Sequence, residues 1–148
     1  MDQNLCVALN QLLKDLTVAE RNVHILHWNL IAKGFVYLHP YLGEVYNQLF
    51  QYVDVTAEQI RFQEAFPEGT LQDATSGSRL TTIDSKSPYN QDEAIRITIA
   101  NIEYLRKFTN NIITYADDHE YWSVADVFTA QVVYYDKVLY FLKSSLGQ

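Results

Sequence analysis

Residues 24–60 read HILHWNLIAKGFVYLHPYLGEVYNQLFQYVDVTAEQI, and they contain three of the four histidines of the chain. The stretch holds two apolar segments on either side of Lys33–Gly34. In each segment the apolar residues recur at steps of three and four, which is the spacing of one face of an α-helix. The stretch therefore predicts two amphipathic helices joined by a short connection.

The first of these helices is predicted to run from about residue 3 to Ala32. Lys33 and Gly34 then supply a basic last turn and a left-handed cap. The second helix is predicted to begin at His39–Pro40, because proline in a first turn loses no hydrogen bond, and to end before Pro67. The predicted inner faces are Leu5, Leu9, Leu12, Leu16, Ala19, Val23, Leu26 and Leu30 in the first helix, and Leu42, Val45, Leu49, Tyr52 or Val53, Thr56 and Ile60 in the second.

Residues 67–89 are rich in Ser, Thr, Gly and Pro and have no period, so they predict a long crossover with a short helix near Leu71–Ala74. A third long helix is predicted to open at Asn90, with Glu93 reaching back in a capping box. A fourth starts near Ser123. Their predicted inner faces are Ile95, Ile99, Ile102, Phe108 and Ile112, then Val124, Phe128, Tyr135, Val138, Leu142 and Leu146. This order predicts an all-α, ferritin-like four-helix bundle in one domain, residues 1–148.

Composition narrows the class of protein. A chain of 148 residues with 48% hydrophobic content fits one globular domain with a sizeable core. It has no run of about 18 apolar residues and no basic N-terminal region, so we expect neither a transmembrane helix nor a signal peptide, and a cytoplasmic location. The single cysteine, Cys6, lies at helical spacing among apolar residues and is interpreted as packing. The net charge of −7 disfavours nucleic-acid binding.

Four residues remain as a candidate metal site once the common motifs are excluded. The chain has no Glu-x-x-His pair, His-Glu-x-x-His, phosphate-binding glycine loop or Cys-x-x-Cys. His27 and His39 flank one short connection, and Asp54 and Glu58 lie one helical turn apart. His39 and Asp54 are fifteen residues apart on the second helix, or about 22 Å along its axis, so they cannot hold one ion within a single chain.

An antiparallel pairing of two copies of the second helix solves this problem. A twofold axis near residues 46–49 brings His39 of one subunit opposite Asp54 and Glu58 of the other, which makes two sites per dimer. Two imidazoles and two carboxylates suit iron, and zinc or manganese can substitute. The alternative is that these side chains form only interface hydrogen bonds and salt bridges, for example to Arg61.

The same residues carry a family resemblance. Residues 27–60 resemble the signature of the Dps-type miniferritins, His-Trp-x-x-x-Gly-x-x-Phe-x-x-Leu-His followed by Asp-x-x-x-Glu, although Gly34 falls later than the glycine of the signature. The resemblance extends over nearly the whole chain, including FPEGTL after the second helix and YYDKVLYFLKSSL near the end. It implies a dodecameric homo-oligomer that forms a hollow shell.

The resemblance also implies an activity and its site. Dps-type miniferritins are ferroxidases that oxidise Fe(II), preferentially with hydrogen peroxide rather than oxygen, and store the ferric product, which protects against oxidative stress. The resemblance matches His27 and His39 to the histidine ligands and Asp54 and Glu58 to the carboxylate ligands donated across the twofold axis.

One position departs from the family pattern. Many members have an acid four residues after the second histidine, where this chain has Gly43, and Glu44 is the nearest substitute. The departure predicts a site that binds one iron well and the second only transiently. The competing hypothesis is a non-catalytic Dps-like shell or metal-binding assembly protein.

Further polar residues allow two interpretations each. His24 has either a functional role, as an outer partner of the site or an additional contact for incoming iron, or none, as a surface or interface histidine. Trp28 either accepts a stray oxidising equivalent or belongs to the core. Asp117 and Asp126, in an acidic group with Asp118 and Glu120, either line a pore for iron, as the resemblance implies, or form a solvated acidic turn.

His119 is expected to be exposed to solvent.

In the family that this chain resembles, DNA binding looks like an effect of lysine-rich tails that contact phosphates. Residues 1–10 contain no Lys or Arg and the last ten residues contain only Lys143, so we expect no appreciable DNA binding and do not favour DNA compaction as the main role.

Overall fold

The computed structural model describes residues 2–147 of the chain. It contains five helices: α1 (Gln3–Asn29), α2 (Phe35–Phe62), α3 (Leu71–Gly77), α4 (Gln91–Asp118) and α5 (Trp122–Ser145). Over these residues the only β-type pairing is an isolated bridge between Leu30 and Tyr89. The all-α fold and the short helix in the crossover are thus confirmed.

The four long helices form a bundle in which neighbouring helices run antiparallel. Along α1 and α2, the His24 ring stacks on Tyr46 and the His27 ring on His39, so later residues of α1 meet earlier residues of α2. The aromatic contacts between α2 and α5 follow the same order, since Tyr41 meets Phe141 and Tyr52 meets Tyr135. Helices α4 and α5 are also antiparallel, because Glu103 pairs with Lys143 while the later residue Arg106 pairs with the earlier residue Asp136.

The predicted inner faces form the core. Every residue predicted for the inner face of α1 is buried, because the spacing of three and four holds these side chains on one stripe. In the other helices most predicted residues are also buried, while Tyr52, Val53, Phe108 and Leu146 are partly buried against the same cluster. The largest fully buried side chains are Tyr135 and Phe128 of α5.

The prediction for the start of α2 is wrong. The helix begins at Phe35, so Pro40 lies inside it. Gly34 has φ −85°, which is not left-handed; it forms the N-terminal boundary of α2, where the Leu38 N–H donates to its carbonyl at 2.9 Å. Proline at position 40 removes only the bond to the carbonyl of Val36, a residue that is 86% exposed, so water can take the place of the missing N–H.

The other helix ends agree with the sequence more closely. Helix α1 ends at Asn29, three residues before the predicted Ala32, and α5 starts one residue before Ser123. The capping box at the start of α4 is present, with reciprocal bonds between Asn90 and Glu93. Of the residues that the structure describes, none belongs to a helix apolar enough over its length to cross a bilayer.

The crossover between α2 and α4 is held by three polar side chains on one face of α1, Asp15, Asn22 and Asn29. The buried Asp15 carboxylate accepts from the main-chain N–H of Arg79 at 2.8 Å. The buried Asn22 amide accepts from the N–H of Ile83 at 3.0 Å. Asn29 donates to two crossover carbonyls at 2.9 and 3.1 Å. Because residues seven apart share a helix face, the crossover runs along α1.

Candidate metal centre

His27 and His39 form a reciprocal pair at one end of the bundle, where α1 ends and α2 begins. The Nδ1 of His27 lies 2.6 Å from the main-chain oxygen of His39, and the Nδ1 of His39 lies 2.8 Å from the main-chain oxygen of His27. The two rings stack with centroids 3.7 Å apart. A carbonyl oxygen only accepts, so both Nδ1 atoms carry the proton.

With Nδ1 as the donor, the Nε2 atom of a neutral imidazole keeps its lone pair. Metal-binding histidines in proteins are commonly held in this way, with the other ring nitrogen donating to a carbonyl or carboxylate. Both residues are partly buried. Burial lowers the pKa of His27, and the nearby His39 and His24 rings lower it further, against the opposing effect of the bond to the His39 carbonyl. His27 is therefore neutral at physiological pH, which is the form that binds metals.

Gly43 lies directly against this pair. A Cβ placed on Gly43 would be 3.3 Å from Cε1 of His27, which is tighter than most contacts of a real side chain, and 3.5 Å from Nδ1, which is an ordinary contact. The glycine thus lets the His27 ring approach α2. Its neighbour Glu44 is exposed and lies beside Tyr41, where burial raises the tyrosine pKa to about 12 with a contribution from the Glu44 charge.

His24 lies one helical turn before His27 and is only 21% exposed in its side chain. Its ring is sandwiched between Trp28 and Tyr46, with centroid distances of 3.9 and 3.8 Å. Its Nδ1 lies 3.1 Å from a carboxylate oxygen of Glu20. Its ring centroid is 6.2 Å from that of His27, so His24 is a fixed neighbour of the pair and not a freely moving surface side chain.

Asp54 and Glu58 form a carboxylate pair on the outer side of α2. Both are exposed. The hydrogen bond that protonated Glu58 donates to Asp54 raises the pKa of Glu58, and the negative charge of Asp54 raises it further. Two carboxylates one helical turn apart repel each other, and a bound cation would relieve that repulsion. Arg61 does not neutralise them within the chain, since it donates to the Ala65 carbonyl at 2.9 Å and lies over the Phe66 ring.

The histidine pair and the carboxylate pair do not meet in one subunit. Within residues 2–147 no three His, Cys, Asp or Glu side chains lie close enough together to hold a metal ion. The two halves have complementary chemistry, because neutral imidazoles and carboxylates together suit a ferrous ion. Within the described subunit the two pairs therefore remain separate.

The acidic group lies where α4 ends and α5 begins. Asp117, Asp118, Glu120 and Asp126 are all exposed, and Glu120 has a positive φ of 60°. The exposure predicted for His119 is also found; its ring stacks on Tyr115 and its Nδ1 donates to the Tyr115 carbonyl at 2.8 Å.

Comparison with known proteins identifies the family. A family model described as a ferritin-like domain matches residues 6–148. The chain belongs to the ferritin-like family. Within it, the chain is 24% identical to the DNA protection during starvation protein of Streptococcus suis over 140 residues, which are 95% of this chain and 81% of that protein.

Solved structures narrow the identification to a Dps-type miniferritin. The crystal structure of Dps from Staphylococcus aureus has a TM-score of 0.91 and 28% identity, covering 98% of this chain and 96% of that one. A Listeria innocua Dps with two histidines replaced by glycine has a TM-score of 0.93 and 20% identity, covering 97% and 95% of the two chains. The second likeness concerns the fold alone.

Three features of the centre in this miniferritin are not predicted by its sequence. These are the exchange of hydrogen bonds between His27 and His39, the contact of Gly43 with the His27 ring, and the bond between Glu20 and His24. The spacing of Glu20 and His24, at i and i+4, was the available signal for the last of these. The first two depend on how two helices meet, which no local pattern encodes.

Proposed function

We propose that this miniferritin is a ferroxidase and iron-storage protein. It oxidises Fe(II) with hydrogen peroxide at sites shared between subunits and stores the ferric product in a hollow dodecamer. Membership of the ferritin-like family supports iron storage and protection against oxidative damage in general. The observation that carries the specific proposal is the reciprocal bonding of His27 and His39, which turns two Nε2 atoms of one subunit into preorganised ligands.

The carboxylates come from the neighbouring subunit. Antiparallel pairing of two α2 helices around a twofold axis near residues 46–49 brings His27 and His39 of one subunit opposite Asp54 and Glu58 of the partner subunit. The spacing of His39 and Asp54 along α2 supports this arrangement, because two residues so far apart on one helix cannot hold one ion within a single chain.

The residues divide the chemistry between them. The neutral imidazoles hold ferrous iron, which is the substrate, and the carboxylates neutralise its charge and favour the harder ferric product. Two ferrous ions give one electron each to hydrogen peroxide, the O–O bond breaks, and two protons complete two molecules of water. Gly43 supplies no ligand, so we expect one strongly bound iron and a second, weakly bound one. Asp117 and Asp126 are proposed to line the path by which iron reaches the interior.

The decisive experiment is anaerobic addition of ferrous iron to the assembled protein, then less than one equivalent of hydrogen peroxide, while ferric absorbance is followed. We expect a fast rise that elutes with the oligomer in the wild type and is lost in the Asp54→Ala/Glu58→Ala variant. Asp92→Ala, which removes an exposed acid from α4, is the matched control and keeps the wild-type rate. No rise above buffer in the wild type would contradict ferroxidase activity.

Mixed assembly tests whether the site is shared. Subunits carrying His39→Ala and subunits carrying Asp54→Ala are each expected to be inactive alone. A mixed dimer contains one intact site and one doubly damaged site, so co-assembly should recover activity. Recovery to no more than the level of either pure variant would contradict a site built from two subunits.

Gly43 favours a second candidate, a non-catalytic shell that binds metal without turnover. In that case the protein would bind Zn(II) at the same four residues, yet ferrous iron would be oxidised no faster than in buffer. Zinc titration of the same preparation, beside the oxidation assay, separates the two candidates.

A further inference from the structure

Four buried polar side chains near the middle of the bundle core have unbonded polar atoms. Among residues 2–147, no hydrogen-bond partner is found for the hydroxyls of Thr56, Thr109 and Tyr135 or for either amide atom of Gln131. All four residues are between 0% and 1% exposed. Buried polar atoms in proteins nearly always have a partner, and a glutamine with both amide atoms unpaired is costly.

The helix register brings these residues to the same level of the bundle. The Tyr52 ring lies 6.0 Å from the Tyr135 ring across the antiparallel α2 and α5. Thr56 is one turn after Tyr52 and Gln131 is one turn before Tyr135, so Thr56 and Gln131 face each other. In α4, Thr109 lies about one turn beyond Arg106, which pairs with Asp136 of α5, and this places Thr109 near Gln131 as well.

The threonine hydroxyls differ from others in the helices. Thr17, Thr98 and Thr129 each donate to the carbonyl four residues earlier, at 2.7 to 2.8 Å. Thr56 and Thr109 lack this local bond. A buried helical threonine commonly donates its hydroxyl to a carbonyl of its own helix. Because Thr56 and Thr109 do not, their hydroxyls are available to a ligand in the core.

The chemistry of the four side chains selects a small neutral ligand. Burial keeps the pKa of Tyr135 well above its ordinary value, so the hydroxyl stays protonated and the set carries no charge. A ferrous ion placed among hydroxyls and an amide would have no carboxylate to balance it, which is unfavourable in a core. The nearest buried carboxylate of α1, Asp15, is already bonded to the Tyr104 hydroxyl and to the main-chain N–H of Arg79. Water supplies the donors and acceptors that these atoms need.

We infer that Thr56, Thr109, Gln131 and Tyr135 enclose an internal hydration site, in which one or more ordered water molecules bridge α2, α4 and α5. This site lies inside a single subunit and is separate from the histidine and carboxylate pairs. It is independent of the proposed ferroxidase function, because it requires neither a partner subunit nor iron.

The first test is a high-resolution crystal structure of the wild-type oligomer. We expect ordered water within hydrogen-bonding distance of the Gln131 amide and at least one threonine hydroxyl. A dry core, or direct bonds among the four side chains, would overturn the inference. This observation does not depend on whether any variant folds.

Thermal unfolding of the oligomer gives a second test, because a hydrated core and a dry core predict changes in Tm of opposite sign. Gln131→Met and Thr56→Val keep the side-chain volume and remove partners of the bridging water, so each should lower Tm by about 2–5 °C, with the double variant lower by less than the sum. In a dry core the same substitutions delete unpaired polar groups and would raise Tm.

Two controls complete the design. Thr98→Val removes a buried hydroxyl that bonds only to its own helix, at the Ala94 carbonyl, and its effect should be additive with Gln131→Met. Zinc titration of Gln131→Met should give the wild-type stoichiometry. A change in stoichiometry would identify a metal site in the core and would refute the hydration site.

Discussion

His27 and Gly43 lie in contact across the α1–α2 interface, with the ring carbon Cε1 of the histidine 3.3 Å from the point where a side chain on residue 43 would begin. Glycine inside a helix costs about 1 kcal/mol relative to alanine. Glycine at this position offers no carboxylate, and it makes room for the ring that bonds to the His39 carbonyl. Its effect on the site is therefore spatial as well as electrostatic.

A methyl group at residue 43 should impair the centre without unfolding the protein. In Gly43→Ala the His27 ring must shift by a few tenths of an ångström, which disturbs its bond to His39. We expect peroxide-driven iron oxidation to slow about tenfold, while the gain in helix propensity keeps Tm close to the wild type. Gly69→Ala is the control, because nothing lies within 4 Å of a Cβ at that position. Equal rates in Gly43→Ala and the wild type would show that the contact is unimportant.

The carboxylate pair should make stability depend on pH in the metal-free protein. The folded pKa of Glu58 is raised above its ordinary value of 4.5, so ionisation of the pair destabilises the fold as pH rises, and this penalty is absent well below pH 4.5. Asp54→Asn should therefore raise Tm by about 1 °C at pH 7 in low salt and leave it unchanged in acid. Scanning calorimetry with a chelator present checks this, and a fall in Tm at pH 7 would contradict it.

Asp2 should stabilise the start of α1 at neutral pH and lose this effect in acid. Its carboxylate accepts from the N–H of Leu5 at 3.0 Å and from the hydroxyls of Tyr115 and Tyr121 at 2.8 and 3.0 Å. The bond from Leu5 lowers the Asp2 pKa most, and the tyrosine hydroxyls lower it further. This stability is present above the unfolded pKa and is lost as pH falls through the folded pKa.

Asn keeps the N-cap but loses the charge of the acceptor, so Asp2→Asn is expected to lower Tm at pH 7 by about 2–4 °C, and the difference from the wild type should shrink below pH 3.8, the ordinary pKa of Asp. Tyr121→Phe removes one donor and should give a smaller loss. A difference that stays constant with pH would mean that the charge of Asp2 contributes nothing.

DNA should not bind to this protein at physiological salt. The chain carries a net charge of −7, so contacts with phosphate release few counterions. We expect no shift of plasmid DNA in a gel at about 0.15 M salt. A clear shift by the purified oligomer, reversed by added salt, would contradict this.

The fold was largely predictable because its signals are local. The stripe from Leu5 to Leu30 and the cap at Asn90 depend on residues three or four apart. The start of α2 was not predictable in the same way. Proline is common in first turns, but Pro40 is tolerated deeper in the helix because the affected carbonyl belongs to an exposed residue, and exposure is decided by tertiary structure.

The candidate site likewise has features that the sequence predicts and features that depend on tertiary structure. Spacing selects His27, His39, Asp54 and Glu58, since ligand types and helix geometry are readable from one chain. Which ring nitrogen is free, and why residue 43 is glycine, depend on the approach of α1 to α2. The unpaired core atoms of Gln131 likewise become visible only when four helices surround them.

The polar face of α1 formed by Asp15, Asn22 and Asn29 bears on the order in which the chain folds. Besides the crossover, Asp15 accepts from Tyr104 of α4 at 2.6 Å, and Asn22 donates to Asn101 of α4 at 3.1 Å. The same side chains therefore join three segments that are distant in sequence. Closing such long loops is slow relative to forming helices. The crossover should acquire protection from hydrogen exchange only after α1 and α4 have docked, and it should be the first segment cut by a protease when their contact loosens.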